Sequence, residues 1–263
     1  MISAAPETHP DAHIDARHTL RVLTINTHKG FTAFNRAFVL PELRDAVRST
    51  RADLVFLQEV HGEHEGHARR WAHWPERPQY EYLADSMWPQ FAYGRNAVYQ
   101  DGDHGNALLS KYPIVEHENI DVSVRKVERR GILYCRIQVP PVDRDVYAYC
   151  VHLGLTERDR SAQLRQLSEH VNSRVPDDAA LIIAGDFNDW RERATGILEP
   201  IGTRDVFKEH TRASARTFPG RLPLLKLDRI YVRGVRIEQA HVLKTAPWPH
   251  LSDHVPLFSQ VSL

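Results

Sequence analysis

Six short clusters of acids, amides and histidines stand beside apolar runs of this sequence. Four clusters end or follow an apolar run and two precede one; their members are Asn26, Glu59, His152, Asp186 with Asn188, Asp228, and Asp253 with His254. Carboxylates and amides supply oxygen ligands for hard cations, and histidines exchange protons near neutral pH. Any one cluster is compatible with an ordinary turn cap, but six of them favour a shared site.

Two of these clusters carry the strongest signal. In Gly185-Asp186-Phe187-Asn188, the glycine permits a sharp turn, and the two short polar side chains lie on one face if the chain stays extended. Ser252-Asp253-His254 places an acid and an imidazole side by side directly before an apolar run. Strands that enter and leave at one sheet edge would bring all six clusters together, where open α/β sheets commonly bind ligands.

The elements that must position these side chains follow from the apolar runs. Runs rich in β-branched residues predict buried strands over residues 20–25, 54–57, 107–109, 132–139, 146–153, 181–184 and 230–232. Helical spacing of apolar residues predicts a helix within Phe38–Arg51 and another after Thr156, which is suited to cap it. The chain is therefore a mixed α/β protein.

Composition limits the class of protein. The chain has 263 residues, 42% of them apolar, and 34 basic residues balance 34 acidic ones. This excludes fibrous and disordered proteins and argues against a protein that coats nucleic acid, although a local basic groove remains compatible with it. Basic residues that rim the site would favour a polyanionic substrate, whereas scattered ones would favour a small or lipid phosphoester.

The organisation of the chain is expected to be simple. Residues 1–18 predict a mobile, solvated lead with His9, His13 and His18, and residues 19–263 predict one domain. The sequence holds no stretch approaching the roughly 20 apolar residues that span a bilayer. We expect a soluble, cytoplasmic monomer with no transmembrane segment.

Two groups of residues with metal or redox chemistry have simpler interpretations. Pairing across the turn PPVDRD would place Cys135 opposite Cys150. We expect two buried thiols rather than a disulfide, because cytosolic disulfides are uncommon. The segment His61-Gly-Glu-His64-Glu-Gly-His67 lacks the His-Glu-x-x-His spacing of zinc proteases, and no cysteine lies nearby. We expect an exposed loop or helix start there.

From Thr19 to its C-terminus, the chain resembles the endonuclease/exonuclease/phosphatase superfamily, and within it the bacterial YbhP-like subgroup. The motifs of that superfamily occur in order: Asn26, Gln58-Glu59, Gly105-Asn106, His152, Gly185 to Asn188, Asp228, and Ser252 to His254. The resemblance implies a DNase I-like four-layer α/β sandwich. Two mainly antiparallel sheets would lie face to face, with helices outside and the site at one edge between them.

The resemblance also implies roles for the clusters. Glu59 would be the principal metal ligand, assisted by Asn26 and Asp253, and this oxygen-rich set suits Mg²⁺ first and Mn²⁺ second. Asp186 would orient or deprotonate the attacking water, and Asn188 would donate to the phosphoryl group. His254, fixed by Asp228, would stabilise the phosphoryl oxygens or share the proton transfer. The choice of general base between Asp186 and His254 stays open.

Further positions bear on the substrate. His152 matches DNase I-like, sphingomyelinase-like and 5-phosphatase-like members, whereas abasic-site endonucleases carry tyrosine there, so we expect His152 to assist the leaving group. Asn106 matches a position near the substrate phosphate, and Arg95, Arg129 and Arg130 are weaker candidates for phosphate clamps.

The resemblance therefore predicts a Mg²⁺-dependent hydrolase of phosphodiester bonds, nuclease-like by default. A phospholipid or sphingomyelin phosphodiesterase, or an inositol-phosphate phosphatase, is the alternative. The aromatic segment from Trp71 to Tyr99 makes a lipid substrate with peripheral membrane contact credible, although packing is expected for most of its rings. A third interpretation, a catalytically silent phosphate-binding module, is disfavoured because no acid or histidine of the set is missing.

Overall fold

The computed structural model describes residues 18–71, 73–125 and 128–263. The strands are β1 Thr19–Asn26, β2 Leu54–His64, β3 Gln90–Tyr99, β4 Gly102–Ser110, β5 Ile114–Asp121, β6 Gly131–Val139, β7 Arg144–His152, β8 Ala180–Asp186, β9 Arg204–Asp205, β10 Asp228–Arg233, β11 Arg236–Val242 and β12 Leu257–Ser262. The α-helices are α1 Leu40–Ser49, α2 Glu65–Arg70, α3 Gln79–Ala84, α4 Glu157–Arg174, α5 Ala194–Leu198 and α6 Val206–Thr211.

The strands form two six-stranded sheets. One has the order β11-β12-β1-β2-β4-β3, and the other has the order β5-β6-β7-β8-β10-β9. Each sheet contains one parallel pair, β1 with β2 and β7 with β8, and its other neighbours are antiparallel. The two mainly antiparallel sheets predicted above are therefore confirmed.

Three apolar layers hold the fold together. The central layer contains residues of both sheets, such as Val22 and Phe56 from one and Ile182 from the other. A second layer packs α1 and α3 on the outer face of the first sheet, and a third packs α4 and α5 on the second. Helices, sheet, sheet and helices are thus stacked in four layers, as the resemblance implies.

The local predictions agree with the elements observed. All seven predicted strand segments lie within or against observed strands, and α1 lies inside the predicted range Phe38–Arg51. The second predicted helix is α4, whose first turn is capped because Thr156 Oγ1 accepts a hydrogen bond from the backbone N–H of Asp159 at 3.3 Å. None of the helices in the described part of the chain has the length and apolar character needed to cross a lipid bilayer.

The predicted pairing of the two cysteines is wrong. Cys135 lies opposite Ala148, and Cys150 lies opposite Leu133. The connection between β6 and β7 is shorter than the turn PPVDRD, because Val139 already pairs with Arg144, and this moves the register by two residues. Both cysteines are buried free thiols, as expected.

The predicted mobile lead falls on residues 1–17, which lie outside the described residues, and on His18. His18 is tied to the body of the protein: its Nε2 lies 2.8 Å from the hydroxyl of Tyr112, and its carbonyl accepts from the backbone N–H of Leu263.

Candidate functional site

The parallel pair in each sheet delivers the candidate residues to one edge. The paired ends of β1 and β2 carry Asn26 and, one residue past its partner, Glu59. At the corresponding end of the second sheet, Asp186 of β8 lies opposite His152 of β7 on one side and Asp228, the first residue of β10, on the other. The edge predicted from sequence is therefore present in the fold.

Asn26 connects the two sheets. Its side-chain amide, only 2% exposed, donates to Glu59 Oε1 and to Asp186 Oδ2, each at 3.1 Å. The side-chain oxygen of the same amide, Oδ1, accepts a hydrogen bond from the backbone N–H of His28 at 3.0 Å. In this arrangement Asn26 sets the separation of the two carboxylates, and its role as a metal ligand stays a prediction.

Glu59 is held in an unusual backbone conformation. Its φ of 53° is left-handed, and the pairing of β2 with β4 shifts between Leu57 and Val60. Such strain in a non-glycine residue is typical of functional positions. The bulge directs the carboxylate towards Asn26 while β2 continues in its sheet.

The sequence analysis missed Lys29, whose Nζ lies 3.0 Å from Glu59 Oε2. Burial alone would raise the pKa of the Glu59 carboxyl, but the ammonium of Lys29 and hydrogen bonds from Lys29 and Asn26 hold it well below its usual range. Lys29 follows the last residue of β1 by three positions, and no motif or periodic pattern of the sequence marks it. Glu59 is an anion with a cation already at its side.

Asp186, His254 and Asp228 form a buried row of charges. His254 Nδ1 donates to Asp228 Oδ2 at 2.8 Å, and His254 Nε2 lies 3.8 Å from Asp186 Oδ2. Burial opposes the charge of His254, yet the carboxylates of Asp228 and Asp186 raise its pKa to about 10. His254 is therefore an imidazolium at neutral pH, oriented by Asp228 with its second nitrogen towards Asp186.

His152 has the opposite character. Its Nε2 lies 3.6 Å from the same Asp186 Oδ2. Burial, followed by the charge of Arg130, lowers the pKa of His152 to about 4, although Asp186 and Glu59 act to raise it. One carboxylate is thus flanked by a cationic imidazole and a neutral one.

The turn after β8 shapes the approach to Asp186. A Cβ at Gly185, whose φ is +146°, would lie 2.0 Å from the carbonyl oxygen of Val151 in β7, so only glycine fits. Asp186 Oδ1 accepts the backbone N–H of Asn188, which itself has φ of 50°. Asn188 Nδ2 donates to the carbonyl of Leu153 at 3.0 Å, and its donation to a phosphoryl group stays a prediction.

Asp253 is fixed to the same edge by its neighbour. Ser252 Oγ donates to the carbonyl oxygen of Asn26 at 2.7 Å and lies 3.3 Å from Asp253 Oδ1. Asp253 Oδ2 lies 3.8 Å from His28 Nε2, and the side chain is a quarter exposed. The Ser-Asp-His motif thereby supplies one carboxylate facing solvent and one imidazole facing the interior.

The donor set fits a hard divalent cation. Glu59 and Asp186 present carboxylate oxygens 3.1 Å from the Asn26 amide, and Asp253 is linked to the Asn26 backbone through the hydroxyl of Ser252. Carboxylate and amide oxygens are the ligands that Mg²⁺ accepts. Lys29 neutralises Glu59 in this structure, so a metal ion would exchange with that ammonium. The nearby group Asp186, Asp228 and His254 also brings one polar atom of each residue within 4.8 Å of the others, but the imidazolium of His254 has no free lone pair for a metal ion.

The predicted phosphate-binding residues fall into two environments. Asn106 is fully buried, and its amide donates to the carbonyl oxygens of Gly131 at 2.9 Å and Cys150 at 3.3 Å, which joins the two sheets. Arg95, Arg129 and Arg130 line one surface cavity of about 270 Å³. Contact of any of the four with a substrate stays a prediction.

That arginine cavity adjoins the candidate site. Arg130 Nε donates to the carbonyl oxygen of Leu153 at 3.2 Å, and the same oxygen accepts from Asn188. Arg130 is also the cation that lowers the pKa of His152. The cavity therefore lies beside the row of His152 and Asp186, so basic residues do rim the site on this side.

Two facing sheets between helix layers, with carboxylates and imidazoles gathered at one edge, define the DNase I-like class of α/β sandwich. The chain belongs to the Endonuclease/Exonuclease/phosphatase family, whose model matches residues 23–254. Members of this family are generally hydrolases of phosphoester bonds.

One sequence relative and two solved structures are similar to this chain. The protein of Escherichia coli strain K12 named uncharacterized protein YbhP is 53% identical over 246 residues, which cover 93% of this chain and 97% of that one. D. rerio TDP2, solved with a single-strand DNA product, has 20% identity and a TM-score of 0.66 over 93% of this chain and 99% of that chain. Mannosyl-6-phosphatase Bt3783 of Bacteroides thetaiotaomicron VPI-5482 has 16% identity and a TM-score of 0.69 over 93% and 100%.

Proposed function

We propose that this protein is a Mg²⁺-dependent phosphodiesterase that cleaves nucleic acid. The observation that carries the proposal is the Asp186 carboxylate, which lies between the cationic His254 and the neutral His152 and is joined through Asn26 to Glu59. A nucleophilic water, a phosphoryl group and a metal ion all require groups of these kinds within a few ångströms of one another.

The proposed chemistry divides among the residues of this edge. Glu59 would hold Mg²⁺ with Asn26 and Asp253, and the bound ion would offset the charge that grows on the phosphoryl oxygens. Asp186 orients the attacking water and accepts its proton, since His254, cationic at neutral pH, has no free lone pair on Nε2. His254 donates from Nε2 to a phosphoryl oxygen, and Asp228 keeps the ring oriented for that hydrogen bond.

His152 is placed to serve the leaving group. It is neutral at neutral pH because burial lowers its pKa to about 4. A phosphate beside it favours the imidazolium, because an opposite charge raises the pKa of a histidine. We therefore assign to His152 a hydrogen bond or proton delivered to the leaving oxygen as the phosphoester bond breaks.

The arginine cavity supports a polyanionic substrate. Arg95 and Arg129 are half exposed or more, and Arg130 ties the cavity to Leu153 beside the site. Successive phosphates of a nucleic acid strand would extend from the reacting phosphate onto these guanidinium groups, which bind phosphate oxygens in a bidentate geometry. A structural neighbour solved with a single-strand DNA product has the same fold.

One observation favours the second candidate, a lipid phosphodiester. Leu155 and Trp190 are 69% and 49% exposed, and they follow Leu153 and Asn188 by two residues each on the loops after β7 and β8. Exposed large apolar side chains beside a site mark an interaction surface. A substrate held in a membrane interface would account for them.

We infer a cytoplasmic location from the two free, buried thiols of Cys135 and Cys150.

A substrate panel with Mg²⁺ separates these functions. Plasmid DNA, single-stranded oligonucleotides, RNA, phospholipid vesicles and phosphomonoesters are each incubated with the parent protein and with Asp186→Ala. We expect turnover of nucleic acid by the parent and a loss of orders of magnitude in kcat for the variant. Turnover of lipid alone would establish the second function. No turnover on the panel, together with no Mg²⁺ binding by calorimetry, would leave a silent phosphate-binding module.

A further inference from the structure

Three histidines outside the candidate site converge where β2 runs into α2. His61 lies in β2, His64 is its last residue, and His67 lies in α2. One potential ligand atom from each of them falls within 4.8 Å of the others. We expected an exposed loop or a helix start at this segment, and a helix does start there, with His64 as the N-cap of α2. His61, however, lies in a strand and is only 1% exposed.

His61 is prepared to ligate a metal ion. Its Nδ1 lies 3.1 Å from the backbone carbonyl oxygen of Asp103 and 3.1 Å from the hydroxyl of Tyr99. The carbonyl oxygen only accepts and the hydroxyl can also accept, so a proton on Nδ1 satisfies both contacts. The lone pair is therefore on Nε2, which is buried and has no hydrogen-bond partner among the described residues. A backbone carbonyl that fixes the other ring nitrogen is the usual support of a metal-binding histidine.

The other two imidazoles face His61 from the partly exposed side. The rings of His64 and His67 lie 3.8 Å apart, and each lies within 6 Å of the ring of His61. His64 Nδ1 accepts the backbone N–H of His67 at 3.1 Å, so this ring gives up a helix cap or rotates when it binds a metal ion.

We propose that His61, His64 and His67 form a binding site for a divalent transition-metal ion, with Zn²⁺ the preferred occupant and water as a fourth ligand. Three imidazole nitrogens suit Zn²⁺, whereas Mg²⁺ requires oxygen ligands, so the site is chemically distinct from the one at Glu59. Tetrahedral Zn²⁺ with Zn–N bonds of about 2.0 Å needs nitrogens roughly 3.3 Å apart. The rings therefore move inwards slightly on binding.

The spacing follows from the change of secondary structure. In the pattern His-x-x-His-x-x-His, three residues advance a helix by nearly one turn, but a continuous strand would turn the middle histidine away from the other two. Here the chain leaves the strand at His64, which is the N-cap of α2, and the helix returns His67 to the same side. Trp74 stacks on His67 with ring centroids 5.1 Å apart and lies 5.7 Å from His61.

Calorimetric titration of the full chain with Zn²⁺ in saturating Mg²⁺ tests the site. The two partly buried ligands are changed together in His64→Gln/His67→Gln, because a substitution of the buried His61 risks the fold. The matched control is His117→Gln/His241→Gln, which changes two exposed histidines elsewhere. The parent and the control are expected to bind one more equivalent of Zn²⁺ than the ligand variant. Histidines of the N-terminal lead are present in all three proteins, so any Zn²⁺ that they bind does not change the difference in stoichiometry.

A spectroscopic titration gives an independent readout. Co²⁺ in place of Zn²⁺ is expected to give the visible absorption of a tetrahedral site and to quench Trp74, and Trp74→Phe is expected to lose that component of the quenching. Equal Zn²⁺ stoichiometry and affinity in the parent and in His64→Gln/His67→Gln, with identical Co²⁺ spectra, would overturn the proposal. Neither readout depends on catalysis, so failure here is distinguishable from failure of the proposed phosphodiesterase.

Discussion

Replacing Asp228 with asparagine removes one charge from the candidate site and little else. Asp228 is 1% exposed, and its Oδ2 accepts from His254 Nδ1 at 2.8 Å. The carbonyl oxygen of an asparagine can accept the same hydrogen bond, so the ring keeps its position. What is lost is the anion that, with Asp186, keeps His254 an imidazolium.

The magnitude follows from the kind of bond that is weakened. A buried hydrogen bond to a charged group contributes about 1.5–3 kcal/mol, and about 1.4 kcal/mol corresponds to a factor of ten in rate. Asp228→Asn is therefore expected to lower kcat by roughly 10- to 150-fold while KM changes little. The amide also places a donor at Oδ1, which is buried without a partner in the part of the chain that the structure describes, so stability falls by about 1–3 kcal/mol.

The assay is the hydrolysis of an oligonucleotide and of a chromogenic phosphodiester, with folding checked by circular dichroism. The matched control is Asp53→Asn, a buried carboxylate paired with Lys111 just before β2, at the end of that strand away from Glu59. It is expected to lose stability and retain kcat. The parent rate in a folded Asp228→Asn, or equal losses of kcat in the two variants, would refute the role of the Asp228–His254 pair.

Three further predictions address other contacts. Asn106→Ala removes two buried hydrogen bonds and is expected to lower the free energy of unfolding in urea by about 2–4 kcal/mol. Unchanged stability would show that these bonds do not hold the two sheets together. Lys29→Met removes the ammonium group beside Glu59 and is expected to tighten Mg²⁺ binding, measured by calorimetry, about tenfold. An unchanged or weaker affinity would show that Lys29 does not compete with the metal ion. Burial lowers the pKa of His104 in the folded protein to about 4. Below pH 6.5 this histidine is therefore protonated in the unfolded chain but not in the folded protein. The free energy of unfolding is therefore expected to fall as the pH drops from 6.5 towards 4, by up to about 3 kcal/mol from this residue. In urea titrations, His104→Gln should make this decline less steep. An equally steep decline in the variant would contradict the prediction.

Much of the fold could be predicted from the sequence, because buried strands leave a clear pattern of apolar residues. Strands such as β8, in which every residue is buried, appear as continuous apolar runs, and their polar ends mark the site edge. The residues at those ends, from Asn26 to His254, do meet, because the parallel pairs β1–β2 and β7–β8 point their ends to one side. The motif-based resemblance supplied the four-layer arrangement.

What the sequence did not predict depends on local backbone geometry. The left-handed conformation of Glu59 and the position of Lys29 against it arise from a bulge and a loop that leave no periodic signal. The register of Cys135 and Cys150 depends on where the turn closes, and an error in that position displaces every pair along β6 and β7. The convergence of His61 with His67 depends on the strand ending at His64, a boundary that pattern reading does not locate well.

The central claim is tested most directly by the metal dependence of phosphodiester hydrolysis. The full-length protein is assayed on DNA and on a chromogenic phosphodiester after treatment with EDTA, and again after Mg²⁺ is restored, beside Glu59→Gln. The account predicts that hydrolysis is lost with EDTA, returns with Mg²⁺ and is absent in the variant under both conditions. Hydrolysis that persists in EDTA, or that proceeds at the parent rate in Glu59→Gln, would contradict it.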